Sequence, residues 1–320
     1  MVEPMPSAGN PAAESAGEGG PAGEAKRCGF VAILGAPNAG KSTLVNALVG
    51  AKVSIVSPKV QTTRTRVLGI AMAGAAQLIL VDTPGIFAPR RRLDRAMIAS
   101  AWQGAKDADL LCLIVDAARG LDDDTRRIVS ALKQAGRKAV LVLNKIDRVK
   151  KPSLLALADE LNREAVFTDS FMISALSGDG VGDLRAYLAA RLQPGPWLFP
   201  EDQLSDLPMR LLAAELVREQ VFIQLRQEIP YASAVDLESW EEFDDGSAKV
   251  SASIYVERES QRGIVLGKGG ARIKAIGSAA RHELAELLGR PVHLMLHVKV
   301  APDWQERPEL YRALRLDFDV

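Results

Sequence analysis

Apolar residues along this chain come in short, nearly unbroken runs, separated by stretches where they recur every three or four positions. Phe30-Val31-Ala32-Ile33-Leu34, Gln77–Val81, Leu110–Val115, Val140–Leu143 and Phe171-Met172-Ile173 are too short for helices and lack the alternation of a half-wet strand. They predict strands of a mostly parallel sheet, with Gln77–Val81 reading as a buried one. Leu44, Val45, Leu48 and Val49 follow the first run at helical spacing and predict a helix over Lys41–Val49. The pattern changes after residue 194. Pro194-Gly195-Pro196 and Pro200 mark a join, and Leu207 to about Glu228 reads as an amphipathic helix with Pro208 suited to its start. Two strand-like stretches, Ser233–Phe243 and Ala248–Glu257, meet at Asp244-Asp245-Gly246, a hairpin signal. The expected division is an α/β domain over 28–194, a linker over 195–206, a small α+β domain over 207–302 and a terminal segment over 303–320. Residues 1–27 are Gly, Ala, Pro, Ser and Glu with few large apolar side chains, and predict a disordered extension.

The chemistry sits at the ends of the apolar runs. Gly35-Ala36-Pro37-Asn38-Ala39-Gly40-Lys41-Ser42-Thr43 follows the first run and opens the first helix. That is the setting in which GxxxxGKS wraps phosphates, its backbone N–H groups forming an anion nest at a helix N-terminus. Lys41 is expected to reach the β- and γ-phosphates and Ser42 to bind Mg²⁺. Asp82-Thr83-Pro84-Gly85 ends the second run, placing a carboxylate for Mg²⁺ through water and the Gly85 N–H for a γ-phosphate. Asn144-Lys145-Ile146-Asp147 ends the fourth, where the Asp147 carboxylate can accept two hydrogen bonds from guanine that adenine does not offer. Such a pairing discriminates by about 10⁴–10⁵. Ser174-Ala175-Leu176 ends the fifth run and is placed to touch the base from its other side. Four motifs in this order, each at a strand end, read as a GTPase.

This half resembles the translation-factor-like GTPases. Gln61-Thr62-Thr63-Arg64 occupies the position of the first switch, and the resemblance assigns Thr63 as the Mg²⁺ ligand of the GTP state, with Thr62 as the alternative. Ile86 follows Gly85 where Ras-like enzymes carry a water-orienting glutamine. The chain therefore looks like the group that hydrolyses GTP without it, slowly, in which the loop asparagine, here Asn38, is associated with K⁺. Lys41, Asn38, Thr63 and Gly85 form the expected catalytic set. In the second half, Gly267-Lys268-Gly269-Gly270 lies between helical stretches reading Ile264-Val265-Leu266 and Ile273-Lys274-Ala275-Ile276. This is similar to a type II KH domain, whose glycine turn packs against a nucleic-acid backbone beside an apolar groove. The resemblance implies RNA contacts at Arg262, Ile264, Gly267, Lys268, Gly269, Gly270, Arg272 and Lys274, with glycine at 267 and 270 allowing the close approach.

A GTPase head followed by this helix and KH module is similar to the Era family of ribosome-assembly GTPases, over about residues 29–305. The family resemblance implies a Ras-like six-stranded domain and GTP with Mg²⁺ as ligands. It implies binding of the single-stranded 3′ region of small-subunit (16S) rRNA and a role in 30S subunit assembly. A monomer in the cytoplasm is expected, with the peripheral inner-membrane contact seen for members in some bacteria. A tRNA-modification GTPase, and an RNA-binding scaffold with a structural GTP site, are the alternatives. The former would usually carry a C-terminal cysteine motif, which Asp317–Val320 lacks.

Composition narrows this further. With 48% hydrophobic and 25% charged residues over 320 positions the chain is ordinary for a globular protein of two domains, and no 18-residue apolar run predicts a membrane span. Cys28 and Cys112 make no disulfide framework, and Cys112 is expected as a buried thiol. Residues 1–27 lack a basic start and apolar core, so no secretion signal is read there. Residues 197–320 hold 15 Lys and Arg against 21 Asp and Glu, which leaves 25 against 19 for residues 1–196. A net acidic RNA-binding half implies short-site contact through the local cluster Arg258, Arg262, Lys268, Arg272 and Lys274, with a modest salt slope. Other charged features read as structure. Arg90-Arg91-Arg92 reads as a solvated loop, Asp122-Asp123-Asp124 as a helix start, and His293 and His297 as packing or surface on a strand. Lys52, Lys59, Arg64 and Arg66 read equally as a partner-facing loop or as solubility. Trp304 and Tyr311 are expected to pack the terminal segment onto the KH domain.

Overall fold

The computed structural model describes residues 25–320. The extension assigned above to residues 1–27 lies outside them up to residue 24, and Arg27 already opens the first strand. The first half runs β1 (Arg27–Leu34), α1 (Lys41–Val49), β2 (Val67–Ala73), β3 (Ala76–Asp82), α2 (Arg92–Asp107), β4 (Leu110–Asp116), α3 (Asp123–Gln134), β5 (Ala139–Asn144), α4 (Lys151–Asn162), β6 (Phe167–Ile173) and α5 (Val181–Arg191). These strands form one sheet in the order β2-β3-β1-β4-β5-β6, with β2 antiparallel to β3 and the other pairs parallel.

The unbroken apolar runs have a direct cause. Ala32, Leu34, Ile79, Val81, Leu113 and Leu141 face one core with residues of α2, α3 and α4. Their alternates Val31, Ile33, Leu78, Leu80, Ile114 and Val142 face a second core with α1 and α5. Both faces are dry, so no polar alternation survives. Parallel pairing also brings the C-terminal strand ends into line: Ile33 registers with Asp82, Asp116 with Asn144, and Asn144 with Ile173. The side chains with chemistry therefore share one rim of the sheet.

Strand β2 was not anticipated. Its edge is covered by the segment expected as a plain linker: Ile70 N donates to Leu204 O at 2.9 Å and Leu68 N to the Asp206 carboxylate at 2.9 Å. The linker runs as a strap that satisfies an exposed sheet edge.

The second half runs α6 (Met209–Gln224), β7 (Ser233–Glu242), β8 (Ala248–Val256), α7 (Glu259–Leu266), α8 (Ala271–Leu288), β9 (Val292–Val300) and α9 (Pro308–Ala313). The sheet order is β7-β8-β9, antiparallel then parallel. Helix α6 stops short of the expected Glu228 because Gln227 takes a left-handed φ of 57° and Pro230 follows. Val217, Val221, Ile254, Val265, Ile276 and Ala280 form the core between helices and sheet. Trp304 and Tyr311 are buried as expected, but their cluster joins Leu93, Ala96 and Met97 of α2, so the terminal segment packs on both halves of the chain.

Candidate functional site

A cavity of about 470 Å³ lies over the strand rim, lined by Asn38, Lys41, Ser42, Thr63, Gly85, Asn144, Asp147 and Ser174 among others. Four chain segments far apart in sequence meet there. The phosphate loop is shaped by what crosses behind it. Asn144 Nδ2 donates to Ala39 O at 2.8 Å, and Asn144 Oδ1 accepts from Ala175 N at 2.9 Å. One buried carboxamide thus ties the phosphate loop to the loop 174–176. A Cβ on Gly40 would stand 2.2 Å from that Nδ2, and Gly40 has φ 104°, so glycine is required there twice over.

Lys41 is buried and bends back, its Nζ donating to Gly35 O at 3.2 Å and Ala36 O at 3.0 Å. Burial pushes its pKa down to about 8, against the pull of the Asp82 carboxylate. Ser42 and Thr63 hydroxyls lie 2.7 Å apart, and Ser42 donates to Asp82 Oδ2 at 2.7 Å. Thr63 Oγ1 also lies 3.4 Å from Asp82 Oδ2, so both hydroxyls converge on the one carboxylate oxygen. Ser54, not anticipated, also donates to Asp82 Oδ2 at 2.5 Å. Asp82 is fully buried; desolvation raises its pKa, with the three hydroxyls and Lys41 pulling the other way. Its Oδ1 is buried with no hydrogen-bond partner among the described residues. An orphaned carboxylate oxygen beside two convergent hydroxyls is a fit for a hydrated divalent cation, with Ser42 and Thr63 as direct oxygen donors. Thr62 points elsewhere, its hydroxyl bonded to Ser57 and Lys59 O.

At the other end, Lys145 takes φ 67° and stretches its amine to Asn38 O and to Asp116 Oδ2, both at 2.6 Å. Asp116 was missed in the sequence, although it ends an apolar run as Asp82 does. Asp147 lines the cavity, and among the described residues its carboxylate meets only Arg148, at 3.8 Å. Ser174 is buried, whereas Leu176 is exposed. Ile86 N donates to Gly35 O at 3.2 Å and the Ile86 side chain is buried in the core, so residue 86 cannot orient a water.

The glycine turn lies between α7 and α8, as the sequence implied. Gly267, Gly269 and Gly270 have φ of 71°, 58° and 78°. A Cβ at Gly267 would meet Arg272 Cβ at 2.6 Å, while nothing lies near one at Gly270. Glycine at 267 is therefore demanded by the turn's own packing, in addition to any approach from outside. Ile264 is half-exposed, and Arg272 Nη1 donates to Gln224 O at 2.8 Å. Lys274 and Gly277 face Leu294 and Leu296 across an open groove of about 370 Å³.

The basic residues around the first switch have internal partners, which removes the solubility reading for three of them. Lys52 pairs with Glu219 at 2.6 Å and with Glu283, Lys59 donates to Phe222 O and Leu225 O, and Arg64 is buried against residues 230–233. Asp122 accepts from Thr125 N at 2.8 Å, which makes the acidic run a helix cap. His293, Met295 and His297 lie on the outer face of β9.

The model of a family described as "50S ribosome-binding GTPase" matches residues 30–145, and that of a KH domain matches residues 228–305. The chain is 58% identical to GTPase Era of Afipia carboxidovorans over 91% of its own length and 95% of the relative's. It is 58% identical to GTPase Era of Rhizobium meliloti over 91% and 93%. Among solved structures it is similar to Era in complex with MgGDPNP and nucleotides 1506–1542 of 16S ribosomal RNA, with a TM-score of 0.86 at 41% identity, covering 90% of this chain and 98% of that one. It is equally similar to a variant of Aquifex aeolicus Era bound to GDP·AlF4⁻, with a TM-score of 0.86 at 42% identity over the same shares. The nucleotide cavity, the glycine turn and these likenesses over nearly the whole of both chains lead to one conclusion: this chain belongs to the Era family of GTPases.

Proposed function

We propose that this GTPase binds the single-stranded 3′ region of 16S rRNA through its KH groove and serves 30S subunit assembly as a nucleotide-dependent switch. The observation that carries the reading is the convergence of Ser42, Thr63 and Asp82 on one point. Thr63 belongs to a loop that is itself fastened to the KH half, so a γ-phosphate and its Mg²⁺ have a route to the RNA-facing domain. In this reading Lys41 and the loop N–H groups hold the phosphates, the Gly85 N–H meets the γ-phosphate, and Asp147 with Ser174–Leu176 selects guanine. Arg262, Lys268, Arg272 and Lys274 face the RNA backbone around the glycine turn. Hydrolysis is slow and helped by K⁺ at Asn38, whose Nδ2 donates to Pro58 O at 3.0 Å and leaves Oδ1 to accept a cation. Faster single-turnover hydrolysis in KCl than in NaCl, lost in Asn38→Ala, tests that step. The domain limits given from the sequence, a monomeric state and a cytoplasmic place with peripheral membrane contact belong to the same proposal; no helix among the described residues is long and apolar enough to cross a membrane.

The test is binding of an oligonucleotide from the 16S rRNA 3′ end, against a scrambled control, with a non-hydrolysable GTP analogue or GDP. Selective, analogue-favoured binding that disappears in a Lys268→Asp/Gly269→Asp variant is expected. Equal binding of both oligonucleotides would overturn the rRNA assignment, and equal binding in both nucleotide states would overturn the switch.

A further inference from the structure

Arg64 follows Thr63 directly and is 1% exposed. Its Nη1 donates to Ser233 O at 2.7 Å, and its Nη2 to Pro230 O at 3.2 Å and Tyr231 O at 3.4 Å. The rings of Phe222 and Trp304 flank it at 5.6 and 5.7 Å. Among the described residues no carboxylate lies within ion-pair distance of it, and its Nε has no partner. Burial, with the nearby Arg218 charge, pushes its pKa down to about 9. A buried cation held by carbonyl dipoles and aromatic faces alone is an expensive way to glue two domains, since apolar residues of similar size usually serve stability as well or better.

Its carbonyl partners form the loop that leads from α6 into β7. Trp304 Nε1 holds the carbonyl between those of Tyr231 and Ser233, donating to Ala232 O at 3.1 Å. The preceding residue of the switch is fastened too: Arg218, paired with Glu215 on α6, donates to Thr62 O. Thr63 is thus bracketed by two attachments to the KH half. The end of α6 completes the line. Lys59 of the same switch donates to Phe222 O and Leu225 O, while Gln224 O between them accepts from Arg272, the second residue past the glycine turn. Unpaired carbonyls at a helix C-terminus attract cations, and here one cation comes from the nucleotide side and one from the RNA side.

We propose that Arg64 is a positioning residue for GTP, holding Thr63 at the Mg²⁺ position against the α6–β7 loop of the KH half so that triphosphate binding and RNA binding are linked through it. The inference rests on Thr63 being a Mg²⁺ ligand in the GTP state. Because linkage is reciprocal, loosening Arg64 lowers affinity for the triphosphate without touching the diphosphate, and removes the nucleotide dependence of RNA binding.

The experiment titrates Mg²⁺ with GDP and with a non-hydrolysable GTP analogue into wild type, Arg64→Lys, Trp304→Phe and Thr63→Ala. Lysine keeps the charge but cannot span the carbonyls of 230 and 233 as a guanidinium fork does. Trp304→Phe removes the Nε1 bond to Ala232 O from the same loop while keeping an aromatic ring beside Arg64 and α2. Arg64→Lys is expected to keep GDP affinity within about twofold and to lose about tenfold for the analogue, inside the usual range of coupling between sites. Trp304→Phe shifts the ratio the same way by less, and the analogue's advantage for the 16S rRNA oligonucleotide disappears in Arg64→Lys. Equal losses for GDP and analogue would make Arg64 a structural residue and overturn the proposal. An unchanged ratio in Arg64→Lys with a lowered one in Thr63→Ala overturns Arg64's role and leaves Thr63's intact, whereas an unchanged ratio in both overturns the two together.

Discussion

Asn144→Ala removes one side chain that two loops depend on. The carboxamide is 2% exposed, and both of its bonds, at 2.8 Å to Ala39 O and 2.9 Å from Ala175 N, lie in buried surroundings. Truncation leaves one backbone acceptor and one donor without partners, each costing about 1–3 kcal/mol, or roughly 3 kcal/mol for the two at the lower half of that range. In a domain of this size each kcal/mol moves the melting temperature by about 2–4 °C, so the nucleotide-free protein is expected to melt about 6–12 °C lower. GDP and GTP-analogue affinities fall together, because Asn144 braces the phosphate loop and the 174–176 loop and touches neither the γ-phosphate nor the Thr63 loop. Asn144→Asp separates the two bonds. It keeps the acceptor for Ala175 N but sets a carboxylate against Ala39 O, and is expected to be at least as damaging as alanine. Thermal unfolding followed by circular dichroism, with calorimetric titration of both nucleotides, reads all of this. A melting temperature within about 2 °C of wild type for Asn144→Ala, or a loss confined to one nucleotide, would refute the bracing argument.

Three further outcomes follow from other parts of the molecule. If Asp147 selects guanine as proposed, Asp147→Asn replaces its acceptor with a partial donor, and calorimetry is expected to show GDP affinity down by at least about 100-fold. Its melting temperature stays near wild type, because Asp147 is half-exposed and its ion pair with Arg148 is long. Gly267→Ala drives a Cβ to 2.6 Å from Arg272 Cβ and should distort the glycine turn and abolish oligonucleotide binding. Gly269→Ala meets open space and carries only the left-handed backbone cost of about 1–2 kcal/mol, so it retains most binding. Cys112, fully buried in β4, has its thiol pushed up to about 12 from 9.0 by desolvation. Below pH 9 the thiol is neutral in folded and unfolded chains alike. Above it only the unfolded chain ionises, so this contribution to stability is lost at about 1.4 kcal/mol per pH unit as pH rises toward 12. Urea midpoints compared at pH 8 and pH 10.5 should fall more steeply in wild type than in Cys112→Ala.

The parts of this fold legible in the sequence are those whose cause is local. An apolar run dry on both faces cannot show alternation, so β1, β3, β4 and β5 announced themselves and their terminal polar residues marked the rim. The hairpin at Asp244-Asp245-Gly246 and the helix cap at Asp122 are short-range backbone chemistry, and both are present. The GTPase motifs and the glycine turn were readable because phosphate and nucleic-acid backbones demand glycine, lysine and hydroxyls at fixed spacing. Strand β2 was passed over although Val67-Leu68-Gly69-Ile70-Ala71-Met72 is itself an apolar run. The small residues Gly69, Ala71 and Ala73 thin its signal, and its place is set by pairing with β3 and by the strap over residues 204–206.

Tertiary structure alone decided which charges meet. Lys52, Lys59 and Arg64 read in the sequence as a basic loop of undecided purpose, because Glu219, Leu225 and Ser233 lie over 160 positions away. Asp116 and Ser54 likewise gained their roles from strands and loops brought beside them, and Trp304 from the crevice between α2 and the α6–β7 loop. Hydrophobic burial acts on every residue of a run and so leaves a periodic trace in the chain. A buried hydrogen bond or ion pair needs one partner at one distance and leaves none.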